Sequence, residues 1–218
     1  LKNVIFNSQN RDFQKTIGSL LDKENLIRPK DIARAAISLL KLEPNLQKNL
    51  KPVDAGIIEN PLDVISDLSE FPLLLKLMSV CPLPDLELEK LLKNLRCSIL
   101  SKISFLKEAS QQLIGFQSAL ALQCFTNEYI YSNTDEEERI VSSLTASVKR
   151  DLDNNKQPSP QIILALASYK PIKEYEWCKS LVVTDHIKDV FSRQVEEPSQ
   201  EDKIKKQLPI LEEITDNI

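Results

Sequence analysis

Residues 109–131, ASQQLIGFQSALALQCFTNEYIY, run directly into 132–153, SNTDEEERIVSSLTASVKRDLD, and together they decide the fold class. In the first stretch Leu113, Ile114, Phe116, Leu120, Ala121, Cys124 and Phe125 are apolar around most of a helical circumference. A helix of that kind is central and buried. The expected core therefore includes Leu113, Phe116, Leu120, Cys124 and Phe125, on a helix spanning about 109–131. The second stretch opens with a capping box, Thr134 at N-cap and Glu137 at N3, each side chain placed to satisfy the other's backbone N–H. The acidic run Asp135 to Glu138 suits the positive end of a helix dipole and reads as a solvated helix start. Ile140, Val141, Leu144, Val148 and Leu152 continue one face, and Lys149 and Arg150 supply the favoured sign at the other end.

The same periodicity extends outward in both directions. Phe13, Ile17, Leu20 and Leu21 form an i, i+4, i+7, i+8 stripe, and Ile32, Ala35, Ala36, Leu39 and Leu40 form another between Pro29 and Pro44. Short helices are expected around Leu46–Leu50, around Leu62, Ile65 and Leu68, and around Phe71, Leu74, Leu75 and Met78. Asp85 is placed to cap a long helix to about Phe105. Ser159 and Pro160 offer an N-cap followed by proline at N1. Pro171 opens a short helix to Trp177, and the last two helices are expected at 185–194 and 199–207, separated by Pro198. The chain reads as all-α: about ten helices in an irregular multi-helix bundle or a short solenoid-like stack. No 34-residue repeat is found within it. Two regions are expected, an N-terminal helical region at 1–60, read as the end of a preceding repeat array, and a helical linker domain at 61–218.

Composition agrees and excludes several function classes. The chain has 3 glycines in 218 residues, against the roughly 7% of an average protein. Tight hairpins and phosphate-cradling loops depend on glycine for positive φ, so a β-rich fold and a nucleotide-binding α/β core are disfavoured. Gly18, Gly56 and Gly115 are isolated, which leaves no GxGxxG and no Walker loop. The formal net charge is −4, with no basic stripe interleaved with aromatics, so nucleic-acid binding is not indicated. No apolar run reaches membrane-spanning length and no signal-peptide pattern is seen in these residues, so neither secretion nor membrane spanning is expected. Cys81, Cys97, Cys124 and Cys178 lie far apart and read as small buried residues of a reducing, cytoplasmic compartment, although Cys81 before Pro82 could be exposed. The chain begins at Leu1 and its sole methionine is Met78, so a piece of a longer protein is expected.

Catalytic chemistry finds little purchase. His186 is the sole histidine, which removes any two-histidine metal site. It reads as a solvated residue near a helix start. No catalytic, cofactor-binding or metal-ligating residue is assigned. One constellation stands out: Gln123, Asn127 and Glu128 interrupt an otherwise apolar helix. Gln123 and Asn127 share a face at i, i+4. Polar groups inside a packed helix must find partners. Two readings follow: these residues bond to neighbouring helix ends and fix the packing, or they form the polar floor of a groove for a peptide or adjoining domain.

Four segments occur in an order that resembles a known arrangement: PDLELEKLLKNLRCSIL (84–100), ALALQCFTNEYIYSNTDEEE (119–138), LALASYKPI (164–172) and RQVEEPSQEDKIKKQLPILEEIT (193–215). The succession resembles the helical region of bacterial proteins that join tetratricopeptide repeats to a class I S-adenosylmethionine-dependent methyltransferase domain, with QCFTNEYIY (123–131) the most distinctive piece. The resemblance implies a non-catalytic interaction and scaffolding module between repeats and catalytic domain, positioning substrate or that domain, with a protein or peptide partner and no cofactor of its own. A methyltransferase-like domain would follow in the parent protein, and Ile204, Leu208, Ile210, Leu211 and Ile214 would form an exposed apolar edge towards it. The alternative is a free-standing helical adaptor that binds a partner helix in an apolar groove.

Overall fold

In a computed structural model, residues 4, 6–23, 27–50, 57–105 and 110–207 are described. Of these, 73% are helical, and none is in a strand. The gaps place Ala109, Leu208, Ile210, Leu211 and Ile214 outside the described residues.

Local chemistry sets most helix starts. Helices α2 (Pro29–Leu40), α3 (Pro44–Leu50), α4 (Pro61–Ser69), α5 (Pro72–Val80) and α9 (Pro160–Ala167) all begin on proline, whose fixed φ suits the first turn and whose missing N–H would have no helical partner there. The others use polar caps. Asn10 accepts from Phe13 N at 2.8 Å at the start of α1 (Arg11–Leu21). Asp85 accepts from Leu88 N at 3.0 Å for α6 (Leu86–Lys102), and Ser110 from Leu113 N at 3.1 Å for α7 (Gln111–Thr126). The box before α8 (Asp135–Asp153) is complete: Glu137 N donates to Thr134 Oγ1 at 3.2 Å, and Thr134 N to Glu137 Oε2 at 2.9 Å.

Helix α7 is the hub. It packs against α4 and α5 on one side and against α9 and α10 (Lys188–Phe191) on the other. Two apolar clusters meet along it. The larger runs without a break from Ile17 through Leu46, Leu77 and Leu92 to Phe116, Cys124 and Ala165, so residues on either side of position 60 share it. The smaller joins Ile114, Ala121 and Leu122 to Val148, Ile163, Ile172, Trp177 and Val190. Burial on both sides explains why α7 lacks a polar face.

Several expectations are corrected. Helix α7 ends at Thr126 rather than near Tyr131, because Glu128 and Tyr129 both turn into the left-handed region at φ 57°. Tyr129 N then closes the end on Cys124 O at 2.8 Å. Phe125 is half-buried rather than in the core, with its ring edge-to-face on Tyr129 at 6.4 Å. Cys97 is half-buried rather than buried, whereas Cys81, Cys124 and Cys178 are buried as expected. The segment after Pro171 forms two 3₁₀ turns, Ile172–Glu174 and Glu176–Ser180, instead of a helix. The acidic start of α8 is not wholly solvated, because Glu137 is buried against Arg96.

Pro198 does not separate two helices. Helix α10 continues through a π-turn, Ser192–Glu196, into α11 (Glu197–Gln207). Proline inside an α-helix clashes with the carbonyl four residues back and cannot donate to it. The widened turn lets the chain pass this point without that bond. Gln194, fully buried, fixes the π-turn from below: its amide nitrogen donates to Ala121 O at 3.2 Å and Ala167 O at 3.1 Å, and its oxygen accepts from Ile172 N at 3.0 Å.

Candidate functional site: a helix-lined groove

The three polar residues singled out in the sequence are not brought to one surface. Gln123 is fully buried at the end of α5, where its amide nitrogen donates to Met78 O at 3.0 Å and Cys81 O at 3.2 Å. It thus satisfies carbonyls that α5 leaves open at its C-terminus. Its amide oxygen then lies 3.4 Å from Glu89 Oε1. Asn127, also buried, caps its own helix by donating to Cys124 O at 2.7 Å and Gln123 O at 3.2 Å. Glu128 lies beyond the helix and is exposed.

A second buried polar group was not legible in the sequence. Arg96 is 2% exposed on α6 and holds Glu137 at 3.4 Å and Asn133 Oδ1 at 3.0 Å. Its guanidinium stacks on Tyr169 at 4.2 Å and lies 5.4 Å from the Tyr131 ring. Tyr169 Oη donates to Glu137 Oε1 at 2.7 Å. Burial raises the Glu137 carboxyl, but bonds from Tyr169 and Thr134 and the charge of Arg96 outweigh it and hold the group below its ordinary range. This cluster ties α6, α8 and the end of α9 together, and Asn133 and Tyr169 also line a groove of about 530 Å³ along α8.

The surface feature with the dimensions of a binding site lies elsewhere, as a groove of about 970 Å³ between α5 and α10. That is the bulk of about two turns of a helix 10 Å wide. Its floor is one stripe of α7: Ile114, Gly115, Ser118, Ala119 and Leu122. One wall is Leu75, Lys76, Ser79 and Val80 on α5. The other is built by Asp185, His186, Asp189, Ser192 and Arg193, and so by the π-turn that Gln194 anchors. Ser118 Oγ donates to His186 O at 3.4 Å and ties floor to wall.

Gly115 is the residue that this groove explains. It sits mid-helix, where glycine costs about 1 kcal/mol relative to alanine. Its φ is not positive, and a Cβ built on it meets nothing within 4 Å. Neither backbone conformation nor packing among the described residues requires glycine there, and the space a side chain would fill opens into the groove. A smaller groove of about 560 Å³ lies across α5, between α1 and α5. It is lined by Gly18, whose surroundings are equally open.

Among the described residues no group of three or more His, Cys, Asp or Glu side chains is placed to hold a metal ion, and no helix is long and apolar enough to cross a membrane. Burial pushes the Cys81 thiol up to about 11 and the Cys124 thiol up to about 12, away from nucleophilic reactivity. No protein-family model, no curated protein and no solved structure matches the chain.

Proposed function

We propose that the chain is a non-catalytic helical interaction module that seats a helix of a partner protein in the groove between α5 and α10. The observation that carries the reading is Gly115: a mid-helix glycine on the groove floor that the packing of the described residues does not need. Small residues at such positions let a second backbone approach closely, and Ser118 and Ala119 extend the same low stripe. Leu75 and Val80, half-buried on α5, supply apolar contact of the kind that anchors a helix in a groove. The resemblance of roughly residues 60–218 to the helical region of repeat-bearing methyltransferase-like proteins supports a scaffolding context for this activity, in a cytoplasmic parent protein. That context is tested separately, by whether the parent reading frame continues into a glycine-rich strand–turn–helix.

The groove is tested by selecting binders from a displayed library of about 20-residue helical peptides on the 218-residue chain, then measuring each binder against Gly115→Leu and Leu75→Lys. The Cβ that Gly115→Leu adds meets nothing within 4 Å, and circular dichroism and thermal melting should show an intact fold while binding is lost. Binders that ignore both substitutions would sink the groove as the docking site.

A further inference from the structure

The charges around the groove specify its occupant further, on the reading that the groove takes a helix. Six titratable side chains line it: Lys76, Asp185, His186, Asp189, Arg193 and Glu197. Both strong cations are already engaged. Lys76 Nζ lies 2.6 Å from Asp22 Oδ1, and Arg193 pairs with Glu197 at 3.0 Å. Asp185 and Asp189 are exposed on the α10 side and make no ion pair or side-chain hydrogen bond among the described residues. The groove therefore has an apolar floor of low relief and one rim carrying two unneutralised carboxylates.

That asymmetry selects among three occupants. The chain's own last eleven residues, LPILEEITDNI, contain Glu212, Glu213 and Asp216 and no cation, so they would bring negative charge to a negative rim. A second copy of the chain brings a net charge of −4, and the lysines of its α11, Lys203, Lys205 and Lys206, share that short helix with Glu197, Glu201 and Asp202. A helix from another protein with basic residues along one border meets neither objection. We infer that the groove binds an amphipathic helix of a partner protein, with small or apolar residues against Gly115, Ala119 and Leu122, and Lys or Arg along the border facing Asp185 and Asp189. Rim charges of this kind contribute modest affinity each, but they set orientation and suppress partners of the wrong sign.

The displayed helical library distinguishes this from the groove reading itself. Selected peptides should be enriched in Lys or Arg along one border, and their affinity should fall as salt rises. The Asp185→Lys/Asp189→Lys double variant should weaken them by about tenfold, from the loss of two exposed pairs and the gain of like-charge repulsion. Both positions are exposed, so the variant should fold unchanged by circular dichroism. Peptides lost on Gly115→Leu but indifferent to the charge reversal would overturn the inference while leaving the groove. Peptides indifferent to both would overturn the groove as well, as would a library yielding no binder. Tighter peptide binding after removal of residues 208–218 would identify the chain's own tail as the occupant. Concentration-dependent dimerisation abolished by Gly115→Leu would identify a second copy. Either result overturns the inference.

Discussion

Arg96 and Tyr169 form a stacked pair that closes on one carboxylate: the guanidinium lies 4.2 Å over the ring, and the phenol and the guanidinium both reach Glu137, at 2.7 and 3.4 Å. Both members of the Arg96–Glu137 pair are nearly inaccessible, with side chains 1% and 3% exposed. Removing one partner leaves a buried charge without its counter-ion, which costs about 3–5 kcal/mol. Arg96→Ala should therefore destabilise the chain by about that much in urea titrations, and Arg96→Met/Glu137→Gln should recover a large part of it. A single substitution costing under about 1 kcal/mol would show that the pair is not buried in solution.

The same cluster fixes an acid limb. The Glu137 carboxyl is depressed in the folded chain, so its contribution is present above the unfolded glutamate pKa of about 4.3 and is lost as pH falls through the lower folded value. Tyr169→Phe removes one of the bonds that depress it and should flatten the loss of stability between pH 4.5 and pH 2, read as the urea midpoint. An unchanged slope would assign the acid limb to other carboxylates.

Glu89 should behave with the opposite sign. Burial raises its carboxyl, the charge of Asp85 adds to the rise, and the Gln123 amide oxygen facing it is an acceptor suited to a protonated neighbour. The folded state thus keeps a proton that the unfolded state releases near pH 4.3, and stability falls as pH rises through that window. Glu89→Gln supplies a permanent donor. The variant should match the wild type at low pH and exceed it at neutral pH. Coincident profiles would mean that Glu89 is ionised in the folded chain.

Glycine lies where the fold does not need it and is missing where a left-handed backbone would favour it. Gly115→Ala should stabilise the isolated chain by about 1 kcal/mol, since the new methyl meets nothing and the helix gains propensity. Glu128, exposed at φ 57°, sits in a conformation that costs an L-residue about 1 kcal/mol. Glu128→Gly should relieve part of that strain. Thermal melts of the two variants should both rise, and a fall for Gly115→Ala would show that the floor is already filled by the chain itself.

Phe116 and Phe125 should separate clearly. Phe116 is fully buried between the two cores, and Phe116→Ala should cost about 3–5 kcal/mol. Phe125 is half-buried with one aromatic neighbour, so Phe125→Ala should cost about 1–2 kcal/mol. Equal losses in denaturant titration would contradict the face assigned to α7.

What the sequence makes legible here is what adjacent residues decide. Asp85, Ser110 and the Thr134–Glu137 box act within three residues of themselves, and proline at N1 acts on its own backbone, so the helix starts could be read directly. The helix ends and the buried polar groups depend on distant partners. Arg96 finds Glu137 forty-one residues away, and Gln194 finds Ala121 seventy-three away. Nothing near Pro198 in sequence announces the π-turn that carries the chain past it. The groove was hidden for the same reason. Gln123 and Asn127 were visible as polar intrusions, but their partners are helix-end carbonyls, whereas Gly115 gave a signal only once its empty surroundings were known. Its isolation in sequence excluded a phosphate loop and said nothing of a groove floor.

The π-turn carries one residue more than an α-helix of the same rise would use. Each residue of an α-helix advances its azimuth by about 100°. A chain shortened by one residue between Ser192 and Glu196 would turn the side chains of α11 by roughly that angle against α10, and would bring the ring of Pro198 back against the carbonyl four residues before it. The compass bearing of α11 is thus set by a single supernumerary residue, with Gln194 as the pin that holds it.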